Sequence, residues 1–504
     1  MNEAQPSQAT TPRTALFATL PVWLFAAYLL LCCPLPPITD LPQHLSQVHA
    51  FWWAVHARDG LYSIHWISPN TLAYWVQLVL CLALPPVLAL KSMTLLLITF
   101  ELAILAWLGH RLNCPRWRII LTSMLILNLD LYWGFFNFIL GWPIFILFYE
   151  WRLKYHTPAQ RATQGILLFI LFFAHIFWLF AALLAMTIPL LSRWRKHFKL
   201  YDLYANFLPA LPVLVLTTLW FFSGYGSAAY IPPEYGIPVL ARLSVLWLTD
   251  SALGGIQGIS ENIFTLALII VIVTQLAQAG RQAWAPANKS YFLLGMAILF
   301  AALVIPDKAM MTVRISQRWV PFAVQLLLLA IPALPPARNR WIPIGALACG
   351  LFLAFQTAQS WAFFGGEDLT GYRESIQAIP PQSRLLILDF YKFGPRFKHR
   401  AYMHLGVMAQ PLRGATPSHS FADIPSAWVN FTRPTPYTKR LEWYPEWASS
   451  ADFLHSDFAF VGGGPEVHAE LIRRLPLAPV TSSGIWRLYK ITGTPKVSLV
   501  QRTS

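Results

Sequence analysis

The chain has 504 residues, of which 56% are apolar, 15% aromatic and only 12% charged. This balance excludes a soluble core in the first two thirds and describes a polytopic membrane protein. The formal charge of +15 would suggest nucleic acid in a soluble chain, but here the basic residues form short clusters between apolar runs and report topology, so no nucleic-acid partner is expected. Cys32, Cys33, Cys81, Cys114 and Cys349 all fall in or beside hydrophobic segments and offer neither a disulfide framework nor a zinc spacing.

Residues 1–13 read as a cytoplasmic tail ending in Arg13, and Thr14 to Cys33 as an uncleaved signal anchor long enough to cross a bilayer. The following stretch, PLPPITDLPQHLSQVHAFWWAV from Pro34 to Val55, must then emerge at a membrane surface. Pro34, Pro36 and Pro37 hold the approach extended, Asp40 suits an N-cap, and Pro42 suits the first helical turn, where its missing N–H is no loss. One turn separates Asp40 from His44, so a helix would stack carboxylate and imidazole on one face. Trp52 and Trp53 are residues that settle at headgroup level, and the helix is expected to lie on the bilayer.

Basic clusters at Arg111/Arg116/Arg118, Arg152/Lys154/Arg161, Arg193/Arg195/Lys196/Lys199, Arg281/Lys289 and Arg338/Arg340 are assigned to the cytoplasm. That assignment makes 71–86, broken by Pro85-Pro86, an interfacial or re-entrant helix and about 88–109 the second span. Two short spans are predicted between Arg118 and Arg152, with Asp130 and Asn137 at their tip, and a second hairpin between Arg161 and Arg193 carries His175 near its tip. The tips bearing Asp40/His44, Asp130/Asn137 and His175 would all face outward.

A span at 203–222, a long outward loop at 223–262 and spans near 263–280, 290–306, 318–334 and 342–361 complete an all-α bundle of about eleven transmembrane helices over 14–361, with 34–87 as its other outward loop. Arg314 and Arg318, in a short outward loop with Asp307 and Lys308, stand four apart and on a helix would form a paired cationic site. From 365 to 504 the composition becomes that of a small extracytoplasmic α/β domain. Its strands are predicted at Arg384 to Asp389, Phe458 to Val461 and Ile485 to Tyr489, with a helix over 466–475. Gly462-Gly463-Gly464-Pro465 lacks the lysine of a phosphate loop and reads as a turn, and Asn430-Phe431-Thr432 is a formal glycosylation sequon.

Each candidate residue has a chemical and a structural reading. Asp40 suits a general base for a hydroxyl, a ligand for a divalent cation such as Mg or Mn, or a simple N-cap. His44 would assist it or share the metal, or else belong with His49, His56 and His65 among interfacial histidines. An acid such as Asp130 inside an apolar hairpin is expensive, and so is either functional or placed on a wet cavity. His175 is equally costly unless it sits neutral and hydrogen-bonded between helices. Arg314 and Arg318 suit a lipid-linked phosphate, which guanidinium binds bidentately, or simply snorkel to the headgroups.

An uncleaved first span, an outward loop with Asp40 in PITDLPQH, interfacial helices, paired short spans and a terminal soluble domain together resemble the integral-membrane glycosyltransferases of the GT-C superfamily. The likeness covers roughly 14–361 and is nearest to the bacterial branch related to protein mannosyltransferases and the lipid A aminoarabinose transferase. It implies an inverting enzyme of the bacterial inner membrane, N-terminus cytoplasmic, that moves a sugar from a polyprenyl-phosphate donor to an envelope glycan, lipid or protein on the outer face. By that resemblance Asp40 matches the catalytic acid of the first loop, supported by His44 and by Asp130 in the second, and Arg314 or Arg318 holds the donor phosphate. His175 and Asn137 join the substrate-binding set. Asn137 lies in Tyr132 to Gly141, which is similar to a stretch in uncharacterised bacterial membrane proteins of this type. Many relatives have two adjacent acids where this chain has Asp40-Leu41. Two other classes compete: a lipid or polysaccharide transporter, which predicts ionisable groups near span midpoints, and a non-catalytic scaffold that binds envelope partners through 365–504.

Overall fold

A computed structural model of the chain describes residues 10–57, 60–152, 157–197, 207–223, 232–279, 286–309, 312–332, 341–392 and 394–493. In chain order the elements are α1 (Pro12–Cys32), α2 (Leu41–His56), β1 (Tyr62–Ile64), α3 (Leu72–Ala83), α4 (Pro86–Arg111), α5 (Arg116–Met124), α6 (Leu129–Trp133), α7 (Phe136–Arg152), α8 (Pro158–Ala174) and α9 (Ile176–His197). They continue with α10 (Leu211–Phe222), α11 (Val245–Ala252), α12 (Ser260–Ala279), α13 (Pro286–Val304), α14 (Val320–Ala330), α15 (Trp341–Phe363) and α16 (Tyr372–Ala378). The remainder holds β2 (Arg384–Asp389), α17 (Ala409–Arg413), β3 (Thr416–Pro417), β4 (Val429–Phe431), α18 (Ser450–Leu454), β5 (Phe458–Gly462), α19 (Pro465–Arg474), β6 (Leu477–Pro479) and β7 (Trp486–Ile491).

Four helical stretches among the described residues are long and apolar enough to cross a membrane: α1, α4, α12 and Trp341–Asp368. α5 has nine residues and α14 eleven. At 1.5 Å per residue these fall about half short of a 30 Å hydrocarbon core, so neither predicted span there is a full crossing by its helix alone. The basic clusters at Arg281 and at Arg338/Arg340, and Lys154 and Lys199, lie outside the described residues.

The chain divides into two compact units. The first comprises Met1–Leu31, Thr94–Leu219 and Ala229–Gln359. Its centre is an aromatic stack in which Phe138, Trp142, Trp178 and Phe322 meet with ring centroids about 5 to 6 Å apart. Gly141 makes room for it, because a Cβ there would lie 2.3 Å from Trp178 Cδ1.

The second unit comprises Cys32–Met93, Trp220–Ala228 and Ser360–Ser504. The sequence reading set 34–87 in the membrane domain and 365–504 apart from it; in the structure the two segments share one unit. Hydrogen bonding explains why. β1 and β4 pair antiparallel, Tyr62 opposite Phe431 and Ile64 opposite Val429. The Gln47 side chain acts as a further strand neighbour, donating to Val429 O at 3.1 Å and accepting from Val429 N at 3.0 Å. Phe51 and Tyr74 both stack on Trp428, at 4.5 and 5.6 Å. α2 is held by protein along most of its length: Leu41 to Val48, Ala50 and Phe51 are all buried. Trp52 at its far end is exposed.

The C-terminal segment also carries a five-stranded sheet of order β3-β2-β5-β7-β6, parallel across its first three strands and antiparallel beyond. Leu386, Leu388, Ala459, Val461 and Tyr489 bury one face with Leu471 of α19. Tyr372 of α16 meets Phe460 and Trp486 from the other. Burial on both faces is what makes β2 and β5 read as unbroken apolar runs. The sequon asparagine, Asn430, is buried inside β4 with its amide donating to Ile424 O, so it is not presented as a modification site.

Candidate functional site

In the second unit, Asp40 occupies the N-cap position of α2 at φ −89° and ψ 1°, yet its side chain caps nothing. Its Oδ1 lies 3.1 Å from Nδ1 of His404. That nitrogen is also 3.2 Å from Thr39 O. A ring nitrogen facing two oxygen acceptors carries the proton and donates it. His44, one turn along α2, is buried against Tyr74 at 5.4 Å and Phe421 at 6.2 Å. His419 stands 6.1 Å from His404, ring to ring, and burial together with the His404 charge pushes its pKa down to about 3, so it is neutral in the fold.

In the first unit, α6 is a single turn started by Asn128, whose Oδ1 accepts from Leu131 N at 3.0 Å, and stopped by Gly134 at φ +81°. Its Asp130 is fully buried, and neither carboxylate oxygen has a hydrogen-bond partner among the described residues. The charges that act on it are those of Arg318 and Glu101. Glu101, in the middle of α4, accepts from Gln325 Nε2 at 2.7 Å.

Arg314 and Arg318 are not phased by a helix. Arg314 has φ +56°, a left-handed conformation that strains a residue with a Cβ, and α14 begins only after Arg318, beyond a 3-10 turn at Gln317–Trp319. The two side chains instead share an aromatic bed. Arg318 lies 3.3 Å over the Phe135 ring and donates to Val313 O from Nε at 3.2 Å and Nη2 at 2.9 Å. Arg314 lies 4.6 Å over Trp133 and donates to Gln317 Oε1 at 2.7 Å. Both rings belong to the turn that follows Asp130.

His175 is the extended residue, φ −163° and ψ 127°, that joins α8 to α9, as the hairpin reading anticipated. Its Nδ1 accepts from Phe177 N at 3.2 Å, its ring meets Phe138 edge-on at 4.9 Å, and the Arg318 charge reaches it. Asn137, in the first turn of α7, is buried next to Phe138. Five sequence candidates, Asp130, Asn137, His175, Arg314 and Arg318, thus lie around Phe135 and Phe138 within this unit, while Asp40 and His44 belong to the other.

The sequence reading missed His404, Glu101 and Gln325. Glu101 had a readable signal, a lone acid in a 26-residue apolar helix. His404 had none, since nothing in its local pattern points to Asp40.

No family model matches the chain, and no curated protein matches it. Among solved structures, ArnT from Cupriavidus metallidurans in the apo state superposes with a TM-score of 0.53 at 11% identity, over 94% of this chain and 96% of that one. The chain shares the fold of ArnT. Two further matches are ArnT from Cupriavidus metallidurans bound to undecaprenyl phosphate (TM-score 0.40, 10% identity, 94% of this chain and 97% of that one) and arabinofuranosyltransferase AftD from Mycobacteria. The AftD match has a TM-score of 0.45 and 12% identity over 97% of this chain and 42% of that one.

The donor set among the described residues does not assemble a three-ligand site for a divalent cation. Among the described residues no three His, Cys, Asp or Glu side chains converge, and Asp40 is engaged by a protonated ring nitrogen. What the chain does present is an oriented carboxylate in one unit and, in the other, a guanidinium pair held on aromatic faces.

Proposed function

We propose that this chain is a membrane glycosyltransferase of the bacterial inner membrane, taking a sugar from a polyprenyl-phosphate donor and transferring it to an envelope acceptor with inversion. The observation that carries the reading is Asp40: at an N-cap position, where a carboxylate ordinarily satisfies the helix end, its side chain is turned away and left 14% exposed. ArnT, whose apo form shares the fold, also has a structure with undecaprenyl phosphate bound, and the carrier proposed here follows that likeness.

Asp40 accepts the proton of the acceptor hydroxyl as its oxygen forms the new bond to the anomeric carbon. The bond from that carbon to the phosphate oxygen breaks, and the electron pair leaves on polyprenyl phosphate. For the phosphate the resemblance points to Arg314 and Arg318, planar guanidinium being suited to bidentate contact and to offsetting its growing charge. A phosphate leaving group needs no separate acid. The N-terminus is assigned to the cytoplasm and the acceptor to the outer face.

The test is release of polyprenyl phosphate by purified protein from a panel of polyprenyl-phosphate sugars. Asp40→Asn is expected to lower release by about 100-fold or more. Equal release by wild type and variant would remove Asp40 from the chemistry. One observation favours a transporter instead, namely Glu101 in the middle of α4; lipid movement across vesicles without any release would select it.

A further inference from the structure

The C-terminal segment grips the loop that carries Asp40 by two histidines. His399 Nε2 lies 2.8 Å from Pro37 O, and His404 Nδ1 lies 3.2 Å from Thr39 O and 3.1 Å from Asp40 Oδ1. The carbonyls just ahead of the candidate base are therefore tied down from outside their own segment. His404 is itself fixed: its side chain is 4% exposed, it meets Phe421 edge-on at 5.7 Å, and it opens the tight turn Leu405–Met408. Asp40 is more open than the ring behind it. A buried donor behind a part-exposed carboxylate sets the direction in which the remaining oxygen points.

We propose that His404 is the positioning residue of Asp40, so that the C-terminal segment forms part of the transfer machinery. This rests on the glycosyltransferase reading. The bond from Nδ1 engages one carboxylate oxygen and presents the other to the acceptor hydroxyl. A carboxylate that rotates freely loses near-attack geometry, and misplacement on the order of 1 Å lowers turnover about 100-fold.

The test compares His404→Asn with His404→Gln in the full-length protein, assayed for polyprenyl phosphate release with the donor that wild type uses best. The Asn amide nitrogen falls near the place of Nδ1; the Gln amide reaches instead toward the place of Nε2. Positioning predicts that the Gln variant loses about 100-fold in kcat while Asn stays within about 10-fold of wild type, with the donor KM unchanged in both. A role confined to filling space predicts the reverse order, because Gln is nearer in size to His. Wild-type kcat in the Gln variant, or equal losses in both variants, would overturn the proposal. Wild type that releases nothing from any donor would instead overturn the glycosyltransferase reading beneath it, and a Gln variant that fails to fold while the Asn variant folds and turns over would support it.

Discussion

The fully buried guanidinium of Arg242 lies 3.1 Å from Asp307 Oδ2, and its Nη1 donates to the carbonyls of Ala302, Leu303 and Ile305 at 3.3, 3.2 and 2.6 Å. One side chain thus caps the C-terminal end of α13 and pairs with the acid that begins the next loop. Asp307 also accepts from Ile237 N at 2.9 Å and from Ser316 Oγ. The loop bearing Arg314 and Arg318 is pinned at both stems by this network.

Replacing Arg242 by Met should leave Asp307 without its guanidinium partner and three carbonyls without this donor, a loss of about 3–5 kcal/mol when a buried pair is broken on one side. The expected result is a lower unfolding temperature in detergent together with weaker polyprenyl phosphate binding. An unchanged midpoint would show that the network does not hold the loop.

Arg318→Lys keeps the charge but gives up the planar face over Phe135 and the forked contact to Val313 O. Donor KM should rise about 10-fold in this variant, an effect of about 1.4 kcal/mol, with kcat changed less. Arg314→Lys loses one ring contact and one hydrogen bond, and a smaller rise is expected. Equal kinetics for both variants and wild type would remove the pair from donor binding.

Trp428→Ala empties the bed on which Phe51, Tyr74 and Trp75 pack. Truncating a buried aromatic typically takes about 3–5 kcal/mol. Residues 41–83 should then be cut by protease in the folded protein, and deletion of 365–504 should expose them further. Protection of 41–83 in the deletion variant would contradict the shared unit.

Asp389 ends β2 with its carboxylate buried, and burial raises its pKa to about 6, against the pull of the Tyr391 and Lys392 N–H groups and of Arg400. The folded state therefore keeps a proton that the unfolded chain releases near 3.8. Its stabilising effect is complete below that value and disappears as pH rises through about 6, a change of about 3 kcal/mol. Hydrogen exchange of 384–389, corrected for intrinsic rate, should show less protection at pH 7 than at pH 4, and Asp389→Asn should flatten the difference. A flat profile in wild type would refute it.

Periodicity and breaks in apolar runs carried much of the architecture. His175 lies between two long apolar stretches bounded by basic residues, so its place at a helix joint was legible. β2, β5, β7 and α19 were legible too, because aliphatic runs bounded by turn residues leave few alternatives. The spacing of Arg314 and Arg318 misled, since a positive φ at an arginine has no glycine to announce it. Trp52 and Trp53 suggested a surface helix, while Gln47, the residue that commits α2 to Val429, looked like any polar position. The Asp40–His404 contact depends on which segments share a unit, and local pattern does not encode that.

The pairing of β1 with β4 has a consequence for biogenesis. Tyr62 to Ile64 is synthesised early, whereas Val429 to Phe431 follows only after most of the chain, some tens of seconds later at ordinary elongation rates. Throughout that interval an edge strand and the Gln47 amide lack their partner, an open template for chaperones, proteases or a neighbouring nascent chain. Maturation of the acid-bearing segment is thereby gated by completion of its own C-terminus, so a prematurely terminated chain stays a substrate for quality control instead of becoming a half-built enzyme.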